Sequence, residues 1–319
     1  MIGLIDKIKQ AKEIAIISHI HPDGDTLGSA TSVYNLVRQL GKTAYLLCED
    51  SVPQSFSFLD GYQEYSTSCH LNKVDLCFAM DTATLNRLGK FQQFFLNSDT
   101  NINIDHHISN IGYGQINHII PQAASTCQIC FELYKEEGIT IDKSMAKSLY
   151  TGISTDTGHF MHSNVTETTF LQAAEIVRLG VDIASVTQSL YKENSKKRTQ
   201  LLARAINSMQ WFESDKICII TITKNDLETL DCDITHTEGI VNYALNIRGV
   251  QVGVLLTQSE NKSFKISLRA KPGCNVDAVA KDFGGGGHIL AAGCMVYGTK
   301  TKVIQLLVQS IKKKMQQSI

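Results

Sequence analysis

No stretch of this sequence approaches the ~18–20 consecutive apolar residues of a membrane-spanning helix. Its first residues, Met1-Ile2-Gly3-Leu4-Ile5-Asp6-Lys7, lack the apolar run and small-residue cleavage pattern of an export signal. Charge of one sign is missing too: 30 Lys and Arg face 31 Asp and Glu, a formal net charge of −1. That balance excludes a general pull toward long nucleic acid or an anionic membrane, so an anionic partner must be met locally. Nine cysteines are present, but their odd count and irregular spacing argue against a disulfide framework and for a reducing compartment. Cys127 and Cys130 form a CxxC within a helix-like run, with no second pair to complete a zinc site, and read as buried thiols. A cytoplasmic protein is expected.

What is present is enough material for two cores. A chain of 319 residues exceeds what one core usually organises. Up to about residue 190, short apolar runs alternate with helical patterns. Residues 14–18, 43–48, 74–79 and 102–104 read as strands; 26–40 and 124–137 read as helices, stopped by Gly41 and Gly138. Such alternation predicts an α/β fold with a parallel sheet. Residues 142–210 read as helical almost throughout, in the segments 142–154, 167–179, 183–191 and 196–209. From Lys216 strands return, at 217–223, 251–258, 263–270 and 294–298, with a closing helix at 301–315. The expected organisation is an N-terminal parallel-sheet domain over 1–191, a helical linker over 192–211, and a smaller α/β domain over 212–319.

Acidic and histidine residues gather where these elements end. His19, Asp23 and Asp25 follow the first strand, Asp81 ends another, Asp105-His106-His107 follows 102–104, and Asp156 follows 148–153. In open parallel sheets, ligand groups collect beyond the carboxyl ends of strands, and the first three clusters fall there. Singly, Asp23 or Asp25 is as well explained as a turn former or helix cap. Together they make the carboxylate and imidazole set that suits Mn²⁺ and similar divalent ions. Asp23 and Asp25 can point at neighbouring ions, Asp81 is the natural bridge, and His106 and Asp156 would complete the second ion. Two such ions clamp a phosphoryl group for in-line attack by hydroxide.

The order His19-x-x-x-Asp23-x-Asp25, Asp81, Asp105-His106-His107, Asp156 resembles the DHH phosphoesterase superfamily across essentially the whole chain. The run Gly284-Gly285-Gly286-Gly287-His288, followed by Ala291-Ala292-Gly293, is similar to the glycine-rich motif of the DHH-associated C-terminal domain. The resemblance implies His19, Asp23 and Asp81 on one Mn²⁺, and Asp25, Asp81, His106 and Asp156 on the other. It implies His107 facing the substrate phosphate or attacking water, Asp105 supporting the imidazoles, and Asp81 as a catalytic ligand. Arg269, His288 and the backbone of Gly285, Gly286 and Gly287 would grip the nucleotide, with Arg87 near the substrate.

The chain is too short for the RecJ-type exonucleases of that superfamily, and it lacks the membrane helices of the large cyclic-di-AMP phosphodiesterases. It resembles instead the stand-alone oligoribonuclease and pAp-phosphatase group, which degrades very short RNA and dephosphorylates 3′-phosphoadenosine 5′-phosphate (pAp). Long nucleic acid and membrane are not expected as partners, and a homodimer is compatible with the sequence. Hydrolysis of cyclic di-AMP or its linear product pApA, and a non-catalytic nucleotide-binding module, are the alternatives; the complete ligand set speaks against the latter. One departure touches substrate preference. Where the family often carries an arginine and an aromatic after Asp-Thr-Gly, this sequence has His159-Phe160, with His162 nearby.

Overall fold

The computed structural model describes residues 3–260 and 262–316. Two compact units divide the chain, Met1–Glu193 and Asn194–Ile319.

The first unit contains α1 (Leu4–Gln10), β1 (Ile14–Ser18), α2 (Gly24–Gln39), β2 (Tyr45–Leu47), β3 (Tyr65–Ser66), β4 (Leu76–Met80) and α3 (Gln92–Asn97). β5 (Thr100–Asp105), β6 (Ile116–Ile119), α4 (Thr126–Glu136), α5 (Lys143–Asp156), α6 (Glu167–Arg178) and α7 (Ile183–Thr187) follow. Its six strands are all parallel, in the order β3-β2-β1-β4-β5-β6. β1 and β4 are buried at every position, as expected of strands covered on both faces. β5 differs: Ile102 and Ile104 face the core, while the buried Asn101, Asn103 and Asp105 alternate with them. The strand order reverses between β1 and β4, which are paired Ser18 to Met80 at their carboxyl ends. A reversal of this kind opens a crevice at those ends.

Three helices close tightly over one face. A Cβ at Gly28 on α2 would stand 2.5 Å from the Ser148 carbonyl on α5. One at Gly152 on α5 would collide with Cys127 of α4 and come within 2.5 Å of Asp25 Oδ1. Gly24 is the first residue of α2, and the side chain of Thr155 occupies the space its Cβ would need. Cys127 and Cys130 lie buried in this packing, and the thiol pKa of each is raised, first by burial.

The second unit contains α8 (Lys196–Asn207), β7 (Gln210–Phe212), β8 (Ile217–Ile222), α9 (Lys224–Thr229), α10 (Val241–Leu245), β9 (Val252–Glu260) and β10 (Ser263–Ala270). α11 (Val276–Lys281), β11 (Gly286–His288), β12 (Ala291–Tyr297) and α12 (Lys300–Gln316) complete it. Its sheet has the order β11-β12-β10-β9-β8-β7, with only β8 and β9 parallel. α11 and α12 cover one face through Val276, Val279, Val303 and Leu307, and α8 and α10 pack with β8 and β9 through Leu201, Ala205, Val241 and Ala244. Leu201 and Ala205 thus make most of the segment expected as a linker part of this unit's core. The helix expected over 183–191 is instead α7 followed by a π-helical turn over Gln188–Lys192.

Candidate active site

Each proposed ligand is delivered by the end of an element. His19 follows β1, Asp25 lies in the first turn of α2, Asp81 follows β4, His106 follows β5, and Asp156 is the last residue of α5. Asp23 caps α2: its Oδ1 accepts from the backbone N–H groups of Asp25 and Thr26, leaving Oδ2 to face His19 Nε2 at 3.6 Å. The cap and ligand readings of Asp23 are therefore compatible, because each uses a different oxygen.

Asp81 faces two sets of donors. Its Oδ2 lies 3.6 Å from His19 Nε2, and its Oδ1 lies 3.6 Å from His106 Nε2. His106 Nε2 is also 3.4 Å from Asp156 Oδ2 and 4.0 Å from Asp25 Oδ2. His19, Asp23 and Asp81 thus form one cluster, and Asp25, His106 and Asp156 another, each with donor atoms within 4.8 Å of one another. Two donors held about 2.0–2.2 Å from a shared ion at right or tetrahedral angles stand roughly 2.8–3.6 Å apart, so the separations of 3.4 and 3.6 Å fit divalent ions, while the 4.0 Å between His106 and Asp25 needs a wider angle. The outer nitrogens agree: His19 Nδ1 meets the Ile20 carbonyl at 2.8 Å and His106 Nδ1 the Ala123 carbonyl at 3.2 Å. Donating there leaves each Nε2 bare toward its cluster.

The electrostatics call for cations. Among the described residues, no Lys or Arg forms an ion pair with Asp23, Asp25, Asp81 or Asp156. Burial raises the Asp81 pKa well above the carboxylate range, and the charges of Asp25 and Asp23 add to the effect. Burial likewise raises Asp25 against the pull of His106. Asp156 is pushed up to about 9 by burial and then by Asp25 and Asp23. Asp23 keeps 56% of its side chain in solvent. Crowding by protein atoms pushes its carboxyl up, but His19 and the two backbone N–H groups outweigh this and bring it to about 2. His106 is raised: the charges of Asp25 and Asp81 outweigh the opposing effect of its burial.

Asp81 also has an unusual backbone, with φ 55. A non-glycine residue in the left-handed region costs of order 1–2 kcal/mol and persists only where its surroundings hold it. Here its N–H donates to the Ile104 carbonyl at 2.9 Å, and Thr126 Oγ donates to Asp81 Oδ1 at 2.8 Å.

His107 is oriented by Asp105: its Nδ1–H donates to the fully buried Asp105 Oδ1 at 2.7 Å. The same Nδ1 is 3.7 Å from Asp81 Oδ1, which brings His107 beside the clusters. The Asp105 pKa is lowered because hydrogen bonds from His107 and Asn110 outweigh its burial. Arg87 reaches the same region from behind, with a guanidinium nitrogen 2.8 Å from His19 Nδ1. A guanidinium only donates, so it competes with the Ile20 carbonyl for opposite tautomers of that nitrogen. His21 points away, to Asp50 at 3.1 Å on the surface, and His162 packs over Gly158.

Three supporting groups carry little sequence signal. The N–H groups of Thr126 and Cys127, at the start of α4, donate to Asp25 Oδ2 and Oδ1 at 2.6 and 2.9 Å. Ser125 caps the same helix, so a helix N-terminus holds a buried carboxylate. Asn110 donates to Asp105 Oδ2 at 2.6 Å. Thr26 Oγ donates to the Met80 carbonyl at 2.9 Å, tying α2 to β4. The helix expected over 124–137 begins close to the first of these, but nothing in its sequence names Asp25 as the partner; Asn110 lies in a loop without any signal.

The glycine run in the second unit departs from its expected form. Its backbone, expected to grip the nucleotide, closes α11 and continues as β11. The N–H groups of Gly284 and Gly285 donate to the carbonyls of Lys281 and Ala280, and that of Gly287 donates to Asp277 at 2.9 Å. The absence of side chains serves close packing, since a Cβ at Gly287 would stand 2.5 Å from the Ala291 carbonyl. Gly286 pairs with Gly293, and His288 is exposed. Arg269 and His288 sit on either side of Ala291 in one register row, so they share a face.

Comparison with known proteins agrees with this arrangement. Residues 13–153 match the DHH family, N-terminal domain, and residues 216–317 match the DHHA1 domain. A bifunctional oligoribonuclease and PAP phosphatase NrnA from Thermus thermophilus is 30% identical over 300 residues, covering 92% of this chain and 88% of its own. The protein of the same name from Bacillus subtilis is 26% identical, covering 92% of each. Among solved structures, an exopolyphosphatase-related protein from Bacteroides fragilis superposes with a TM-score of 0.92 at 25% identity, covering 98% of this chain and 96% of its own.

Proposed function

The chain belongs to the DHH family of phosphoesterases, and on that premise we propose that it hydrolyses very short oligoribonucleotides to mononucleotides and pAp to AMP. The carrying observation is Asp81, whose two oxygens face two separate donor sets. His19, Asp23 and Asp81 would hold one divalent ion; Asp25, Asp81, His106 and Asp156 would hold the other, with Mn²⁺ our choice for such oxygen and imidazole donors. When bound, the ions supply charge neutralisation at the phosphate and an acidified water.

The remaining work belongs to the chain's own side chains. Asp105 fixes His107 with Nδ1 protonated, which leaves Nε2 as the nitrogen that faces a phosphate oxygen or the attacking water. Donation from His19 Nδ1 to the Ile20 carbonyl displaces the Arg87 guanidinium from that nitrogen and frees it for an anionic substrate. In the second unit, Arg269 and His288 bind a nucleotide phosphate by charge and hydrogen bonding. No long basic stripe is needed for so short a substrate, in keeping with the net charge of −1.

The direct test offers purified protein with Mn²⁺ a short RNA, pAp, pApA, cyclic di-AMP and pyrophosphate in parallel. Turnover of the RNA and pAp is expected. Turnover of pyrophosphate alone, or of none, would overturn the assignment.

A further inference from the structure

The second unit's sheet has a face that neither helix layer fully covers. Along β10, Phe264, Ile266, Leu268 and Ala270 point into the core beneath α11 and α12, so Lys265, Ser267 and Arg269 point the other way. β12 matches them residue for residue: Arg269 opposes Ala291, Ser267 opposes Gly293, Lys265 opposes Met295, and Ser263 opposes Tyr297. Directly opposed residues share a face, so these side chains form one surface. At the Arg269 end the floor is bare, because Ala291 and Gly293 offer almost no bulk. At the other end Met295 and Tyr297 stand up, 40% and 74% exposed. A groove of about 560 Å³ runs along that end, between Lys265, Ser267, Phe283, Gly285, Met295 and Tyr297. Its volume lies within the ~300–1,000 Å³ of small-ligand sites.

The chemistry of this face is selective. Same-face residues on a strand are two rises apart, roughly 6.6–6.8 Å. Arg269, Ser267 and Lys265 therefore present cation, hydroxyl and cation at an even spacing. An extended nucleotide unit, phosphate to phosphate, spans a comparable distance. Lys265 has no ion-pair partner among the described residues, and Arg269, half-buried, feels the charge of Glu238. An exposed aromatic beside such a row is what single-stranded nucleic acids use for base stacking, which tolerates any sequence because every base has a π face.

We propose that this face is a track for oligoribonucleotides longer than one nucleotide. Resting on the function proposed above, the nucleotide common to all substrates lies at Arg269 and His288. The second and third nucleotides run along β10 toward Lys265, where a base stacks on Tyr297. The track makes affinity depend on substrate length without a strongly basic surface.

The test compares wild type, Tyr297→Ala, Tyr297→Phe and Lys265→Ala, as full chains, on pAp and on RNAs of increasing length. Tyr297→Ala should raise KM roughly 5–100-fold for RNA of three or more nucleotides, while pAp kinetics hold and Tyr297→Phe behaves as wild type. Lys265→Ala should raise the same KM and flatten its salt dependence. Anisotropy of end-labelled RNAs reads the same length dependence as binding, so the track is tested even for a protein that turns nothing over. Variants that shift pAp and RNA alike, or neither, overturn the track while leaving the hydrolase reading intact. A Tyr297→Ala protein that changes oligomeric state with no change in length dependence makes the face a contact between copies of the chain, and also overturns it.

Discussion

Asp81 concentrates the physics of the site in one residue. Its left-handed backbone is held by one N–H···O bond to β5, its carboxylate is held by Thr126, and two imidazoles face its two oxygens at equal distance. Removing the Thr126 hydroxyl would leave a buried carboxylate oxygen short of a donor. Thr126→Val should therefore weaken divalent-ion affinity by ~10–100-fold, and Thr126→Ser should restore it, as read by metal titration. Unchanged affinity in the valine variant would remove Thr126 from the account. Titration at the same residues has a definite sign. Asp25, Asp81 and Asp156 have raised pKa values, so without metal the folded state binds protons that the unfolded chain releases. Their contribution is fully present below the ordinary value of 3.8 and is lost as pH rises through their raised values, about 9 for Asp156. Asp23 and Asp105 are lowered and run the other way, losing stability as pH falls. Divalent ions replace the protons on the first three. The rise in melting temperature on adding Mn²⁺ to metal-free protein should grow with pH across the neutral range; a constant increment would contradict these shifts.

At the scale of elements, the site depends on how closely α2, α4 and α5 approach. Gly152 lets α5 lie against Cys127 and Asp25, and the first turn of α4 donates two N–H groups to that carboxylate. Gly152→Ala should cost about 1–3 kcal/mol of stability by overpacking and should lower activity further by displacing Asp25. Stability by denaturant unfolding and metal affinity, measured together, check both parts. Most of these elements were legible because burial on both faces writes a continuous apolar run, as in β1 and β4. β3 and β6 were not, since an edge strand of two or four half-exposed residues carries no period to read. β11 was hidden for a different reason: glycine signals loop, and only the close pass of Gly285 and Gly287 against β12 explains its use in a strand.

For the whole molecule, the order of acidic and histidine motifs carried more than any single one, because four strand or helix ends had to meet for it to mean anything. The structure brings all six proposed ligands into two adjoining clusters within the first unit. What the sequence did not carry was the support around them: Asn110 behind Asp105, the start of α4 beneath Asp25, and the strained turn at Asp81. Each depends on a partner distant in sequence, so no local pattern announces it. No helix among the described residues is long and apolar enough to cross a membrane.

If Asp81 joins two ion sites, the number of ions bound per chain depends on it. Asn tolerates a left-handed backbone and matches Asp in shape, so Asp81→Asn should fold while presenting one oxygen in place of two and no charge. Calorimetric titration with Mn²⁺ should give two ions per wild-type chain, and in the variant loss of one and marked weakening of the other. Two ions bound to Asp81→Asn with wild-type affinity would contradict the account.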